Sequence, residues 1–279
     1  MRSSHEFNLR RERSIWRNIH SIDKSRLLFW SWYEPRNFGD WIGPYLFEAI
    51  TGLTPLFCPR EKIARFGCIM TVGSVLRHLI GDDCVVVWGS GIISGGDMFK
   101  RPREVRAVRG PLTRRRMVDL GYECPEIYGD PAILMPLFFS PERKARRHAI
   151  GVIPHFVDRH LFSERSDCLI IDPTRSVDRV VEDIVSCELT ISSSLHGLIV
   201  SHAYGIPSVW VRPVNRIDGD DSKFRDYFLS VGLDPSPLTY RAYEEGRGAA
   251  LGRSATLPSH RPLIEPLLHS CPFAACGDQ

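Results

Sequence analysis

The chain has 279 residues, of which 43% are hydrophobic and 25% charged, a balance that is typical of a globular protein and excludes a disordered one. The 36 basic and 33 acidic residues leave a formal net charge of +3, which is too small to indicate nucleic-acid binding. The 8 cysteines form no CxxC pair, so the sequence predicts neither a disulfide framework nor a zinc site. Reduced thiols, no apolar signal region near residue 1 and no membrane-length apolar run predict a cytoplasmic protein.

Apolar runs and helical patterns alternate from residue 26 onwards. In the first half the predicted strands are 26–32, 68–72, 84–88 and 105–108, and the predicted helices are 40–50, 74–80 and 111–120. Helix 40–50 is expected to stop near Gly52, and Ser74 is the predicted N-cap of helix 74–80. Helix 111–120 has Pro111 in its first turn and Gly121 after its end, which is the usual asymmetry of helix ends.

The second half repeats this alternation. Its predicted strands are 149–153, 168–171, 189–192 and 208–211, and its predicted helices are 177–187, 195–204 and 224–231. Continuous apolar strands between helices predict parallel sheets that are covered on both faces. The sequence therefore predicts an α/β protein with two Rossmann-like domains.

The predicted boundaries give a basic arm at 1–25, an N-terminal domain at 26–140, a C-terminal domain at 141–245 and a tail at 246–279. The proline-containing, charged stretch 135–147 is the best candidate for an interdomain linker. The tail offers one weak helix near 263–269. Because the arm carries four arginines at 10–17 beside Trp16, it predicts either weak contact with an anionic membrane surface or a solvated helix.

Ligands of open parallel sheets bind beyond the carboxyl ends of the strands, so motifs that follow strands are the candidates for a site. In the first motif Asp40 is either a helix cap or a catalytic carboxylate. The glycine-rich stretch 88–96 is either a ligand-wrapping loop or a tight turn, and it has neither P-loop nor dinucleotide spacing. Arg109 ends a strand before a helix N-terminus, where a phosphate or carboxylate would fit, although a surface arginine is the alternative. Asp130 precedes Pro131 and is interpreted mainly as structural.

Two motifs follow strands of the second half. His155 leaves the first of these strands and would face the cleft, unless it is one of the many histidines with a structural role. The run from Ser192 to Gly197 begins a helix, where hydroxyls and amides make an anion cradle and His196 can add a proton or a charged hydrogen bond. The alternative is that Ser192, Ser193 and Ser194 are three competing caps.

Together and in this order, these motifs resemble the polysaccharide pyruvyl transferase family, over roughly residues 26–235. The chain looks most like the bacterial enzymes that add pyruvate ketals to exopolysaccharides of the xanthan or succinoglycan kind. The matching motifs are Asn37-Phe38-Gly39-Asp40, Val108-Arg109-Gly110 with Thr113, Gly129-Asp130-Pro131, Ser194-Leu195-His196-Gly197 with Ala203-Tyr204-Gly205-Ile206-Pro207, and Lys223-Phe224.

This resemblance implies a fold like that of the GT-B glycosyltransferases, in which two Rossmann-like domains face each other across a cleft. It implies phosphoenolpyruvate as donor, a sugar diol of a lipid-linked oligosaccharide as acceptor, no dissociable cofactor, and work at the inner face of the cytoplasmic membrane. Family members often carry arginine where this chain has Ser194, and Arg175, Arg212 or Lys223 could supply the missing charge. The residues implied for the donor are Arg109, Ser194, Leu195, His196, Gly197 and Lys223.

The chemistry needs an acid, a base and cations. His196, Asp40 and His155 are the candidates for proton transfer, and Asn37 and Trp88 are the candidates for acceptor binding. No cluster of side chains has metal-ligand spacing, so no metal is expected.

Two rival functions remain open. One is a nucleotide-sugar glycosyltransferase of the GT-B fold, and the other is a non-catalytic sugar-binding subunit of a polysaccharide assembly complex. Tryptophans could stack on sugars in all three cases, namely Trp30, Trp32, Trp41 and Trp88.

Overall fold

The structure is a computed structural model that describes residues 23–31, 37–141, 147–162, 168–212, 220–245 and 249–273. The basic arm up to residue 22 lies outside this part of the chain, as does Trp32.

The first half is built on a five-stranded sheet in which all pairs are parallel and the strand order is β2-β1-β3-β4-β5. The strands are β1 (Leu27–Phe29), β2 (Leu56–Phe57), β3 (Cys68–Met70), β4 (Val85–Trp88) and β5 (Glu104–Ala107). The helices are α1 (Phe38–Thr51), α2 (Ile63–Phe66), α3 (Pro111–Asp119) and α4 (Met135–Phe138). Strands β1, β3 and β4 are buried along their whole length, as their continuous apolar sequences predict.

The second half holds another five-stranded parallel sheet, with the order β10-β9-β8-β6-β7. Its strands are β6 (His148–Ile153), β7 (Cys168–Ile170), β8 (Cys187–Ser192), β9 (Ser208–Arg212) and β10 (Leu238–Thr239). Its helices are α5 (Val177–Val185), α6 (Leu195–Ala203), α7 (Ser222–Ser230), α8 (Tyr240–Glu245), α9 (Ala249–Ser254) and α10 (Arg261–His269). The predicted α/β class with two parallel sheets is confirmed.

Helix ends explain two corrections to the predicted elements. Asn37 caps α1 by accepting a hydrogen bond from the Gly39 N–H, so Asp40 is not the cap but lies within the first turn. The predicted helix 74–80 is only a 3-10 turn at Leu76–His78. Ser74 does not cap it, because its hydroxyl accepts a hydrogen bond from Arg109.

The two halves share one core. Helix α1 packs on α5, and α6 packs on the 3-10 turn Pro131–Leu134, so a single buried cluster includes apolar residues of both sheets. The Phe38 N–H also donates a hydrogen bond of 2.7 Å to the Pro173 carbonyl. These contacts hold the start of α1 against the second half, where α6 begins.

The C-terminal segment crosses back to the first half. The indole N–H of Trp88 donates to the Leu267 carbonyl over 2.9 Å, and Phe273 packs edge-on against both Trp88 and Phe47. The helix predicted near 263–269 is therefore α10, and it covers the first sheet.

Within the described ranges, none of the helices combines the length and the apolar character that crossing a bilayer requires.

Candidate active site

The candidate site lies where chain segments that follow strands of both sheets come together. Asn37 and Asp40 follow β1, His155 follows β6, His196 follows β8 and Lys223 follows β9. Such positions beyond the carboxyl ends of parallel strands are where α/β proteins bind ligands.

His196 lies in the first turn of α6 and is nearly buried. Its imidazole is pressed against the start of α1, because a Cβ added at Gly39 would lie 2.2 Å from Nδ1 and 2.6 Å from Cγ. Gly73 lies close to both side chains, because a Cβ added there would be 3.8 Å from Cε1 of His196 and 4.0 Å from Oδ1 of Asp40. Glycine at position 39 therefore lets the imidazole pack on the helix that carries Asp40.

The remaining nitrogen of His196 faces a carboxylate. Nε2 lies 3.6 Å from Oδ2 of Asp130, whose side chain is fully buried. Asp130 caps the 3-10 turn Pro131–Leu134, and its other oxygen accepts a hydrogen bond of 3.0 Å from the Ala132 N–H. Among the described residues neither His196 Nε2 nor Asp130 Oδ2 has a hydrogen-bond partner.

Asp40 is the carboxyl group of the site. Burial raises its pKa to about 6, against the opposing effects of His196, a hydrogen bond with the Asn37 side chain and Lys223. The same electrostatic interactions show that Asp40 lies close to residues from α6 and α7. A carboxyl group with such a pKa is partly protonated near neutral pH, which makes it able to donate a proton.

His155 contributes an uncharged imidazole to the site. Burial, then Lys223 and His196, lower the pKa of its imidazole to about 3, so the ring is uncharged at neutral pH. Its backbone N–H donates to the Ser193 hydroxyl over 2.9 Å, which ties the end of β6 to the start of α6. The ring therefore belongs to the same site as the imidazole of His196.

Lys223 supplies positive charge from the first turn of α7. Its ammonium lies 5.3 Å from the centre of the Phe224 ring, and it acts electrostatically on Asp40, His155 and Asp158. The two arginines that were alternatives for this charge each pair with a carboxylate, Arg175 with Asp183 and Arg212 with Asp221.

The serine run has one cap rather than three. Ser194 caps α6 by accepting from the Gly197 N–H over 3.4 Å, while Ser192 is within hydrogen-bond distance of the carbonyls of Ile153 and Ser194, at 3.0 and 2.8 Å. A Cβ added at Gly197 would lie 2.3 Å from the Ser192 hydroxyl, so glycine allows this close packing. Leu195 is buried among apolar residues. Binding of an anion at this helix start stays a prediction.

Arg109 was predicted to face the cleft, and the structure corrects this placement. The side chain is fully buried and pairs with the buried Asp226 over 3.0 Å, while its other nitrogens donate to the Ser74 hydroxyl and the Ile92 carbonyl. The predicted anion corner does exist, but it holds a carboxylate of the protein itself. Thr113, in the first turn of α3, adds two hydrogen bonds to Asp226, from its N–H at 2.9 Å and its hydroxyl at 2.6 Å.

Trp88 is also misplaced by the sequence argument. It is 0% exposed beneath α10, so it cannot stack on an acceptor sugar in this structure. Trp30 is likewise buried, whereas Trp41 is partly exposed on α1. Asn37 is partly exposed beside Asp40, and acceptor binding there stays a prediction.

Two carboxylates of this region were missed by the sequence analysis. Asp130 was interpreted as mainly structural, although its motif follows Tyr128, which pairs with Val108 in an isolated parallel bridge and thus gives a strand-end position. Asp158 gave no signal, yet it is buried, and burial raises its pKa to about 6 against the effects of His160 and Lys223. The described residues include no group of three His, Cys, Asp or Glu that could hold a metal ion. The expected lack of a metal requirement stays a prediction.

The fold and the site together define an α/β protein that holds a carboxyl group, two imidazoles and an ammonium between two parallel-sheet halves. Residues 95–213 match the family model of polysaccharide pyruvyl transferases. The predicted resemblance to the polysaccharide pyruvyl transferase family is thereby confirmed over the matched residues. The matched range includes Asp130, His155 and His196, while Asp40 and Lys223 lie outside it.

Two relatives extend the similarity. The chain is 29% identical over 208 residues to the uncharacterized protein L143 of Acanthamoeba polyphaga mimivirus, an alignment that covers 71% of this chain and 72% of that protein. It is 28% identical over 215 residues to the succinoglycan biosynthesis protein ExoV of Rhizobium meliloti (strain 1021). This second alignment covers 72% of the chain but only 63% of the relative, which is less than two thirds of its length.

Proposed function

We propose that this protein transfers pyruvate from phosphoenolpyruvate to two hydroxyl groups of one sugar in a bacterial exopolysaccharide precursor. The family supports the pyruvyl transfer, and the name of the succinoglycan relative supports an exopolysaccharide as acceptor. The observation that carries the proposal is the meeting of a carboxyl group of raised pKa, a neutral imidazole and an ammonium in one site. In this proposal the two halves form the GT-B-like arrangement that the resemblance implies.

The reaction requires these groups in a definite order. A proton adds to the methylene carbon of phosphoenolpyruvate and leaves an oxocarbenium-like carbon, which one sugar hydroxyl attacks as it loses its proton. The bond from this carbon to the phosphate oxygen then breaks, and the second hydroxyl attacks and closes the ring. One donor and one diol thus give one cyclic ketal and one inorganic phosphate, with no oxidant, reductant or cofactor consumed.

The two shifted pKa values divide the acid and base roles. Asp40 holds a proton near neutral pH because burial raises the pKa of its carboxyl, so it acts as the acid towards the methylene carbon. His155 is uncharged because burial lowers the pKa of its imidazole. It is therefore a weak base, which accepts the proton of a sugar hydroxyl as that oxygen bonds to the oxocarbenium-like carbon and becomes acidic. His196 lies between Asp40 and Asp130 and keeps the acid in place.

The donor carries three negative charges, which need cationic and dipolar groups. Lys223 provides the ammonium, and the start of α6 provides the positive end of a helix dipole. Arg109 acts indirectly, because Asp226 lies on the same helix as Lys223 and their buried ion pair holds α7 against the first half.

The acceptor side of the proposal keeps the elements that the resemblance implies. Asn37 contacts the sugar, the acceptor is a lipid-linked oligosaccharide, and the protein works at the inner face of the cytoplasmic membrane without a dissociable cofactor. The position of Asn37 at the exposed start of α1, directly beside the acid, supports the first of these points.

The test is to incubate the protein with phosphoenolpyruvate and a lipid-linked oligosaccharide, to measure phosphate release, and to detect the ketal by mass spectrometry. Asp40→Asn should abolish turnover, whereas the exposed Asp119→Asn on α3 should leave it unchanged. Phosphoenolpyruvate should also raise the melting temperature, as a ligand of the folded state does. Stabilisation by a nucleotide sugar alone would favour the glycosyltransferase rival and refute pyruvyl transfer.

A further inference from the structure

We propose that Asp130 is a positioning residue that fixes the ring orientation and the tautomer of His196. This inference rests on the proposed function, because it assigns a role to a residue behind the acid of that site. It starts from the pair of atoms that face each other at 3.6 Å, Oδ2 of Asp130 and Nε2 of His196.

The pair is buried, and its facing atoms make no other hydrogen bonds within the described residues. Asp130 has no exposed surface, and among the described residues neither facing atom has another hydrogen-bond partner. Because an unpaired buried polar atom is costly, the favourable arrangement is an N–H on Nε2 directed at the carboxylate. The Nδ1 nitrogen is then left for the side of the ring that faces Gly39 and Asp40.

Asp130 is itself held rigidly. Its Oδ1 accepts from the Ala132 N–H over 3.0 Å, so only Oδ2 is available to His196. The neighbouring Pro131 packs against Gly89, where an added Cβ would lie 2.2 Å from the proline ring. A carboxylate that belongs to the first half thus sets the orientation of an imidazole that belongs to the second half.

The surroundings of the imidazole make its tautomer matter. Asp40 on α1 lies beside the Nδ1 side of the ring, and Lys223 and His155 act on the same region from α7 and from the end of β6. Burial, and then the charge of Asp130, raise the pKa of Tyr227 on α7. If Nδ1 is unprotonated, it can accept a hydrogen bond from the Asp40 carboxyl and hold this group in place until its proton passes to the donor.

The test uses Asp130→Asn, which keeps the cap because the asparagine carbonyl can still accept from the Ala132 N–H. Its NH2 group then faces Nε2 of His196, which must become an acceptor, so the proton moves to Nδ1. The nitrogen shifts of 15N-histidine-labelled protein report the tautomer directly, and a His196→Asn variant assigns the signals. We expect Nε2–H in the wild type and Nδ1–H in Asp130→Asn.

The kinetic arm separates positioning from donor binding. Asp130→Asn should lower kcat by roughly 10²-fold while the KM for phosphoenolpyruvate stays unchanged. The matched control is Asp172→Asn. Asp172 accepts a hydrogen bond from the Thr174 N–H, just as Asp130 accepts one from the Ala132 N–H, but it caps no residue of the site. This control should leave both kcat and the histidine spectrum unchanged.

The outcomes are distinct. An unchanged His196 spectrum in Asp130→Asn overturns the inference, even if kcat falls. If Asp130→Asn does not fold, Asp130→Ser keeps a capping oxygen and removes the carboxylate, and the wild-type tautomer should again be lost. The spectra do not depend on turnover, so a wild-type protein that transfers no pyruvate would refute the proposed function while the pairing is still tested.

Discussion

The buried pair of Arg109 and Asp226 allows a sharp test of what holds α7 in place. Asp226 accepts three hydrogen bonds, one from Arg109 Nε and two from Thr113, and both members of the ion pair are 0% exposed. Asp226→Asn is the informative change, because it preserves the shape of the side chain and removes the charge.

The expected loss of stability can be worked out from these contacts. Asparagine keeps an oxygen for the Thr113 N–H, but its NH2 group faces Arg109 Nε and the Thr113 hydroxyl, so two hydrogen bonds to a charged group are lost. Two such bonds contribute about 3–6 kcal/mol. Removal of one partner of a buried ion pair costs about 3–5 kcal/mol. Because domains unfold with about 5–15 kcal/mol, the variant should fold with much of its stability lost.

Equilibrium unfolding in urea measures this loss. With a slope near the upper end of the usual range, the midpoint should fall by roughly 1–2 M. The matched control is Asp83→Asn, which removes the charge from an exposed bidentate pair with Arg101, and asparagine accepts the positive φ of 54° at that position. The control should leave the midpoint unchanged.

One result would refute this reasoning. If Asp226→Asn unfolds at the wild-type midpoint but binds phosphoenolpyruvate weakly, the corner serves the donor rather than the fold. Arg109→Lys gives a second measure, because lysine keeps the charge but cannot reach Asp226, Ser74 and Ile92 together. It should lower the unfolding midpoint as well as turnover.

Three further predictions concern the site, the pH response and metal dependence. Gly39→Ala should reduce kcat by at least roughly 10-fold, because the new Cβ displaces His196. The control Gly252→Ala adds a Cβ in open space and should leave kcat unchanged. Equal kcat values for Gly39→Ala and the wild type would show that His196 can move without effect. Burial lowers the pKa of His202 to about 3 and that of His260 to about 4, so the unfolded chain takes up protons first. Their contribution to stability is complete above pH 6.5 and falls as the pH drops towards 4. Urea midpoints measured at several pH values should show this fall, and the midpoint of His260→Gln should depend less steeply on pH. Activity should survive a chelator because Lys223 and the start of α6 neutralise the donor, and a loss restored by a divalent ion would contradict this.

Local sequence signals predicted much of the fold. The run at 84–88 and the helix at 111–120 were found nearly to the residue, since one is continuously apolar and the other has proline and glycine at its ends. The predicted helix 177–187 runs too far, because Ser186 ends it with a hydroxyl bond to the Asp183 carbonyl and Cys187 already begins β8. The two-residue strands β2 and β10 were missed, because their sequences are too short to show a period.

The site was predictable only where position along a strand decides it. His155 and His196 come shortly after strands β6 and β8, Asp40 lies on the helix that follows β1, and the parallel topology brings these segments together. Partners distant in sequence were not visible. Asp226 is 117 residues from Arg109 and turns an apparent ligand-binding arginine into a buried cross-link. Trp88 is covered by Leu267, 179 residues later, so a strand end that looked open is closed.

The return of the C-terminal segment has a consequence for how the protein is made. Strands β1 to β5 are synthesised first, but Leu267 and Phe273, which pack on Trp88 and Phe47, come much later in the chain. A ribosome must therefore synthesise residues as far as Phe273 before the first half can complete its core, so this half cannot finish folding on its own as the N-terminal part of the chain emerges. Until then the apolar side chains of Trp88 and Phe47 lack the cover that the C-terminal segment gives them.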